Sequence, residues 1–537
     1  MAYTITNRCI KCDNCVPQCP QGAIKIEGDD FWIDPSLCDD CRDYTHPVCV
    51  IACPTNSPIP RQAKKGRCKI DDRPITSPDL FANGESNPFA SAIVVWELCN
   101  VLSQRQALPW QTDNQGTLCY HRQINQGRGS ITLRIAESAD PESAEYLKGD
   151  VALAAVKSFD IRAACLNLIF AAHATALEKP WEQEFVINDR QIEDYLGLDK
   201  RRDLSKTNRL ILIKELVQQP CRLQASITWY QQGKVKGFSI ESDRLWQVVD
   251  VQHHFQEDDQ GCKHLSGLTF RIKAGLWASY FLNKQGCKER NAFYQYGSLP
   301  KPLLSTVTSI WQQHEGAVRI MLWLLFKTKM GREQRVTVPT LMRVAYGEQR
   351  MLYAASHRDD RKRLLKTFES DLEALNHYGL KPAFDPVTYP VDIQPLWAKL
   401  SDIPEDAEEA LEFWTNDGQS DRRLTDSGPR GKWNRLMNAR ILCFELPPEW
   451  EQTAACSIKK KEQASKQYQK KNKNHAQPVL SGEQIIKARE KLRLSQRELA
   501  GLIGKSQSWI RDVERGRFRV KPQDQILLQR VLGKQNS

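Results

Sequence analysis

The sequence predicts a multidomain α+β chain: a small cysteine-dense N-terminal unit, a mixed α/β middle region and a compact all-α C-terminal unit. Three observations carry this expectation. The length of 537 residues suggests about three or four domains at ~150 residues each. Eight of the 17 cysteines fall at or before Cys53. The net charge of +11 is also uneven, since residues 457–537 hold 20 basic and 7 acidic residues and the rest 56 and 58. A hydrophobic fraction of 41% supports real cores and argues against wholesale disorder. The longest clean apolar run, Ile320-Met-Leu-Trp-Leu-Leu-Phe326, is far short of the ~20 residues of a membrane span. The stretch from Met1 to Arg8 lacks a basic n-region and an apolar h-region. No membrane contact is expected, and a cytoplasmic location is.

The first unit, residues 1–60, holds two motifs, Cys9-x2-Cys12-x2-Cys15-x3-Cys19-Pro20 and Cys38-x2-Cys41-x7-Cys49-x3-Cys53-Pro54. A cubane cluster needs four thiolates on separate corners, and two-residue spacings let three of them wrap it from one loop. Together with Ala2-Tyr-Thr-Ile-Thr and Pro20-Gln-Gly-Ala-Ile-Lys-Ile26, these motifs resemble the bacterial two-cluster ferredoxins, in their looped subtype because of the long Cys41–Cys49 spacing. In that pattern the fourth cysteine of each run serves the other cluster. The resemblance therefore implies two [4Fe–4S] clusters, one on Cys9, Cys12, Cys15 and Cys53 and one on Cys38, Cys41, Cys49 and Cys19. Structural zinc is the alternative, though zinc sites generally use two separated Cys pairs. The nine remaining cysteines show no ligand spacing and read as small packing residues, with Cys68 the one to check.

Residues 61–88 read as a polar linker and residues 457–477 as a Lys-rich flexible tether with almost no apolar side chain. From 478 to 537 the pattern is helical. Ser495 can cap a helix over 496–503 with Glu498 at the capping-box position, and Gly504 suits its left-handed end. A second helix follows from about Gln507 to Arg515, with Ile510 and Val513 inward and Gln507, Ser508, Arg511 and Asp512 outward. The run from Leu494 to Gly516 is similar to the helix-turn-helix of phage Cro and repressor proteins. That resemblance puts the second helix in the major groove, with Gln507, Ser508 and Arg511 as base readers. It makes Gln496 a phosphate contact and Glu514 a structural acid, and it leaves Trp509 without a role. An interaction bundle with a solvated basic face is the plainer reading.

The middle region, 89–456, carries no nucleotide loop, metalloprotease or hydrolase motif. Two segments share a plan. In the first, Val186-Ile-Asn-Asp-Arg-Gln-Ile-Glu-Asp-Tyr-Leu-Gly197 precedes a helix near 208–218 and strand-like runs at 222–230 and 245–253. In the second, Val336-Thr-Val-Pro-Thr-Leu-Met-Arg-Val-Ala-Tyr-Gly347 precedes a helix near 361–378. Short helix, longer helix and hairpin resemble the paired winged helices of plasmid replication initiators. The alternative, which the near-neutral charge favours, is a scaffold for dimerisation or ligand sensing.

The whole layout resembles the cyanobacterial regulators of the PatB/CnfR type. It implies a non-enzymatic, oxygen- or redox-responsive activator of nitrogen-fixation genes. Double-stranded promoter DNA is the expected partner, with a second copy of the chain and RNA polymerase as further candidates. An electron-transfer protein tethered to DNA and a replication-initiator-like protein are the competing functions.

Overall fold

A computed structural model describes residues 3–27, 30–34, 37–60, 73–124, 127–139, 145–201, 203–257, 263–327, 335–401, 403–404, 406–419, 431–447, 480–517, 520 and 522–533. The tether and three of the nine remaining cysteines, Cys68, Cys262 and Cys456, lie outside the described residues. The chain divides into two compact units, 1–454 and 455–537.

In the first unit the N-terminal segment holds β1 (Tyr3–Ile5), β2 (Ile24–Glu27), β3 (Asp30–Ile33), α1 (Val48–Ile51) and β4 (Pro58–Pro60). Strand β1 pairs antiparallel with β4, Ile5 facing Pro58, and β2 with β3, Ile24 facing Ile33. The two prolines of β4 cannot donate to a ladder, which suits a strand with one paired side. Among the described residues the fully buried core here is Ile5, Cys15, Ala23, Ile24, Ile33 and Cys49, with Tyr3, Val16 and Phe31 partly buried against it. Two of the six fully buried residues are motif cysteines, so apolar burial alone cannot hold the segment.

The body follows with β5 (Ser86–Ala90), α2 (Ile93–Gln104), β6 (Trp110–Thr112), β7 (Leu118–Ile124), β8 (Gly129–Ile135), α3 (Gly149–Ser158) and α4 (Arg162–Ala176). Next come β9 (Glu184–Asn188), α5 (Asp189–Leu196), α6 (Lys206–Cys221), β10 (Leu223–Trp229), β11 (Phe238–Arg244), β12 (Trp246–Glu257) and β13 (Lys263–Ala274). Then α7 (Trp277–Phe281), α8 (Lys284–Lys288), β14 (Tyr296–Pro300), α9 (Lys301–Ile310), α10 (Glu315–Lys327), β15 (Val336–Thr337) and α11 (Val338–Tyr346). The unit closes with α12 (Glu348–Ser356), α13 (Arg358–His377), β16 (Lys381–Phe384), α14 (Leu396–Leu400), α15 (Ala407–Gln419), α16 (Lys432–Leu436) and β17 (Arg440–Glu445).

Helix α4 is buried on every side from Arg162 to Ala174, as an all-round apolar helix must be. Two of its polar groups are answered: Asn167 donates to the Val95 carbonyl and accepts from the Trp246 indole, and Arg162 pairs with Asp160. It packs against α2, α6 and β5, and the body holds a five-stranded antiparallel sheet, β11-β10-β8-β7-β6, and two three-stranded sheets, β12-β13-β9 and β15-β17-β16. Each three-stranded sheet belongs to the same order, helix, strand, helices, then two strands, with the first strand beside the last, except that β10 and β11 of the large sheet are inserted after α6 in the first. The members are α4, β9, α5, α6, β12 and β13 in one case, and α10, β15, α11, α12, α13, β16 and β17 in the other. Local chemistry agrees with both starts, since Asn188 and Gln191 form a capping box on α5 and Thr337 caps α11.

Two expectations need correction. The runs at 222–230 and 245–253 do not form a hairpin together. The first pairs with β8 and β11, the second with β13, because the β10–β11 hairpin joins the large sheet. The supposed linker is, from Arg73 on, part of the body. Arg73 pairs with Asp189 at 2.7 Å, the Tyr195 hydroxyl accepts from the Leu80 amide, and Leu80 and Phe81 are buried. Among the other cysteines, Cys99, Cys119, Cys165 and Cys221 are buried as packing residues, whereas Cys287 is exposed.

The second unit holds α17 (Gly482–Lys491), α18 (Gln496–Ile503), α19 (Gln507–Glu514) and α20 (Pro522–Leu532). They enclose Ile485, Leu499, Ala500, Ile503, Ile510, Val513 and Leu528. Gly482 lets α17 meet the end of α19, where an added Cβ would lie 2.3 Å from the Glu514 carbonyl oxygen. Among the described residues no helix is long and apolar enough to cross a membrane.

Candidate functional site

In the cysteine segment, Cys15, Cys41 and Cys49 are buried, Cys12 is exposed, and Cys9, Cys19, Cys38 and Cys53 lie between. Burial pushes the Cys15 thiol up to about 11, and Cys9, Cys53 and Cys12 add to the rise. Burial likewise pushes Cys49 up to about 12, with Cys41, Cys38 and Cys19 the leading neighbours. Cys15 thus senses Cys53 of the second motif, and Cys49 senses both Cys19 and Cys15 of the first. Burial also raises Cys53, but hydrogen bonds from Thr55, Ser57 and Asn56 outweigh it and leave this thiol below its ordinary value. The Ala23 amide donates to the Cys19 sulfur at 3.3 Å and the Ser57 amide to Cys53 at 3.2 Å. Both donors sit four residues past the last cysteine of a motif, so the two halves repeat one design. Among the described residues no three His, Cys, Asp or Glu converge on a single metal ion. Closely placed thiols, with amides aimed at the Cys19 and Cys53 sulfurs, fit cluster thiolates.

This segment docks on the body through a patch of side chains on β3 and beside it. Trp32 lies 4.6 Å from the His253 ring and 5.2 Å from Phe255, centroid to centroid. Asp34, almost fully buried, pairs with Lys214 of α6 at 2.7 Å. The Asp34 carbonyl also accepts from the Cys38 amide, which ties the patch to the second motif. Burial, then Lys214, pushes His253 down to about 4. Nothing in the local sequence announced this patch, because its halves are about 180 residues apart.

In the C-terminal unit Ser495 and Glu498 form a capping box, and Gly504 ends α18 with φ +71°. Ser506 caps α19 by accepting from the Trp509 amide. Gln507, Ser508 and Arg511 all stand exposed on the outward face of α19. Asp512 accepts from Arg517 at 3.0 Å and lies 3.7 Å from Arg511. Trp509, which the sequence left without a role, packs against the helical core with Lys505 over its ring. Gln496 is half-buried, and its amide donates to the Glu514 carboxylate at 2.6 Å, which orients it. Glu514 also accepts from Arg489 at 2.6 Å and is itself 4% exposed, a structural acid as expected. The exposed cations Arg493, Arg497 and Arg515 were missed as single residues, although the charge of the tail contained them.

Removing one partner of a buried pair costs about 3–5 kcal/mol. Glu514→Ala, which strands both Arg489 and Gln496, is therefore expected to melt this unit selectively. Hydrogen exchange of α18 and α19 amides in the full chain measures it, with body amides unchanged.

Residues 2–25 match the 4Fe-4S binding domain family and residues 482–534 a helix-turn-helix domain family. A ferredoxin-like protein in the nif region of Nostoc sp. is 55% identical over 58 residues, which are 10% of this chain and 50% of that protein. Ferredoxin-3 of Chlorobaculum tepidum is 42% identical over 55 residues, 10% of this chain and 89% of that protein. The chain thus spans about half the length of the nif-region relative it matches. A crystal structure of the RctB domains 2-3 covers 51% of this chain and 83% of its own at 10% identity, with a TM-score of 0.27, too low to carry a fold assignment. Through its N-terminal cysteine unit the chain belongs to the 4Fe-4S ferredoxin family, and it joins that unit to a C-terminal helix-turn-helix domain.

Proposed function

We propose that this protein is an iron–sulfur-containing transcriptional regulator that answers oxygen or redox poise and activates nitrogen-fixation genes. The observation that carries the reading is the match of residues 2–25 to the 4Fe-4S binding domain family, in a chain that also bears a helix-turn-helix domain. Cys9, Cys12, Cys15 and Cys53 would hold one [4Fe–4S] cluster, and Cys38, Cys41, Cys49 and Cys19 the other. Bound there, clusters supply one-electron redox chemistry and sensitivity to oxidants. The exposed Cys12 is the point of attack, and the thin core makes the fold of the segment depend on its eight thiolates. Trp32 and Asp34 then carry order or disorder to Lys214 and His253, a two-state coupling of the order–disorder kind.

At the other end Gln507, Ser508 and Arg511 would read base edges and Gln496 a phosphate. A second copy of the chain would supply the other half-site, and RNA polymerase would be the recruited partner. The nif-region context of the relatives supports nitrogen fixation as the setting.

Footprinting of full-length protein on its promoter, anaerobic and after air, tests this. Protection is expected only from the anaerobic sample, together with loss of iron on exposure. Equal protection before and after air, with iron lost, would sink the sensing role.

A further inference from the structure

The order helix, strand, helices and two strands, with the first strand beside the last, is that of a winged helix; the body contains it once with the β10–β11 hairpin inserted before the final strands, and once uninterrupted, ending in β16 and β17. The helix preceding the two final strands is the one that such a module offers to a groove. In the first copy this is α6, and it is engaged. Lys214 is held by Asp34 of the cysteine segment and Arg209 by Glu193. In the second copy it is α13, and its outward face is open and basic. Arg358, Lys362 and Lys366 are all exposed at i, i+4 and i+8, with Arg363 beside them 81% exposed. Leu364, Phe368, Leu372 and Leu375 hold the opposite face in the core.

The acids do not cancel this stripe. Asp359 and Asp360 occupy the first turn, where the helix dipole favours them, and Asp360 reaches Arg363 only at 3.8 Å. Glu369 is drawn aside to Lys432, and Glu373 stands exposed near the other end. Like charges at i, i+4 weaken a helix. Stacking Arg358, Lys362 and Lys366 therefore serves no purpose within α13 itself. The cations also occupy the N-terminal half, the half of such a helix that meets nucleic acid.

We infer that α13 is a second duplex-DNA contact, in which Arg358, Lys362, Arg363 and Lys366 bind backbone phosphates independently of the C-terminal helix-turn-helix. This rests on the reading of the chain as a DNA-bound regulator and extends it from one contact to two. Phosphate contacts set register and affinity and carry little sequence information, which suits a stripe with no exposed Gln or Asn in its first three turns.

The test compares full-length protein with the triple variant Arg358→Ala, Lys362→Ala, Lys366→Ala and with Gln507→Ala, Arg511→Ala. All five positions are exposed, and unchanged hydrogen exchange in the α13 core confirms folding. Each phosphate contact contributes about 0.9 to the slope of log affinity on log salt, so the triple variant is expected to lower that slope by about 3. It should also shorten the footprint while protection at the helix-turn-helix site stays. A full footprint and an unchanged slope in the triple variant overturn the α13 contact and assign the stripe to an acidic protein partner instead. Loss of the site in neither variant would overturn the helix-turn-helix reading as well, so the two failures are distinguishable.

Discussion

Cys15→Ser is expected to cut bound iron from about eight per chain to nearly none, because it unfolds the N-terminal segment that would hold both clusters. Cys15 is both a member of the first motif and one of the six fully buried residues of the local core. The remaining apolar members, Ile5, Ala23, Ile24 and Ile33, cannot offset the chain entropy of some sixty residues at about 1–2 kcal/mol each. The loss should therefore be all or none rather than graded. Hydrogen exchange of residues 3–5 and 31–33 would go to the unprotected rate, and iron and sulfide would be counted on the same sample. Cys165→Ser is the control, since Cys165 is equally buried but sits in α4 far from both motifs in sequence. It should keep all its iron. Retained protection at residues 3–5 in Cys15→Ser would show that the segment folds without its thiolates, and the order–disorder coupling would lose its basis.

The same variant probes the docking patch. Once β3 unfolds, Lys214 loses Asp34 and His253 loses the Trp32 ring. Exchange should then rise along β12 and the middle of α6 but not in β15, β16 or β17, which contact none of these groups.

What the sequence disclosed and what it withheld follow from the range of the interactions. The 4Fe-4S character of the N-terminal unit was legible because the cysteine spacing is local. Ser495, Glu498 and Gly504 were legible because a helix start and stop are written within four residues of each end. The Arg73–Asp189 pair spans 116 positions and turns an apparently polar linker into a packed strap. No local pattern encodes that contact. Likewise, β10 has the alternation of a strand but nothing in its own residues chooses β8 over β12 as its neighbour. The basic stripe of α13 was hidden for another reason. The region around it is near neutral, and only burial separates its outward cations from acids held in pairs or at the first turn.

Gln507→Ala with Arg511→Ala is expected to remove site-specific binding while leaving most nonspecific affinity. A bidentate contact from Gln to adenine or Arg to guanine is worth about 1–3 kcal/mol of discrimination. The pair together should lower affinity for the target by between about 30-fold and 10⁴-fold. On random DNA only the charge of Arg511 is lost, so the change there should stay within about tenfold. The fold should survive, because neither side chain enters the core formed by Ile510 and Val513. Asp512 makes the outcome more specific. It braces Arg517 and stands beside Arg511, so removing it frees two cations while deleting a nearby negative charge. Asp512→Ala should therefore raise affinity for random DNA and lower the ratio of specific to nonspecific binding, opposite in sign to the double variant on random DNA. Competition titrations with target and random duplexes at two salt concentrations measure both. Equal losses on the two duplexes in the double variant would mean that α19 contacts only phosphates, and base readout would have to come from elsewhere in the chain.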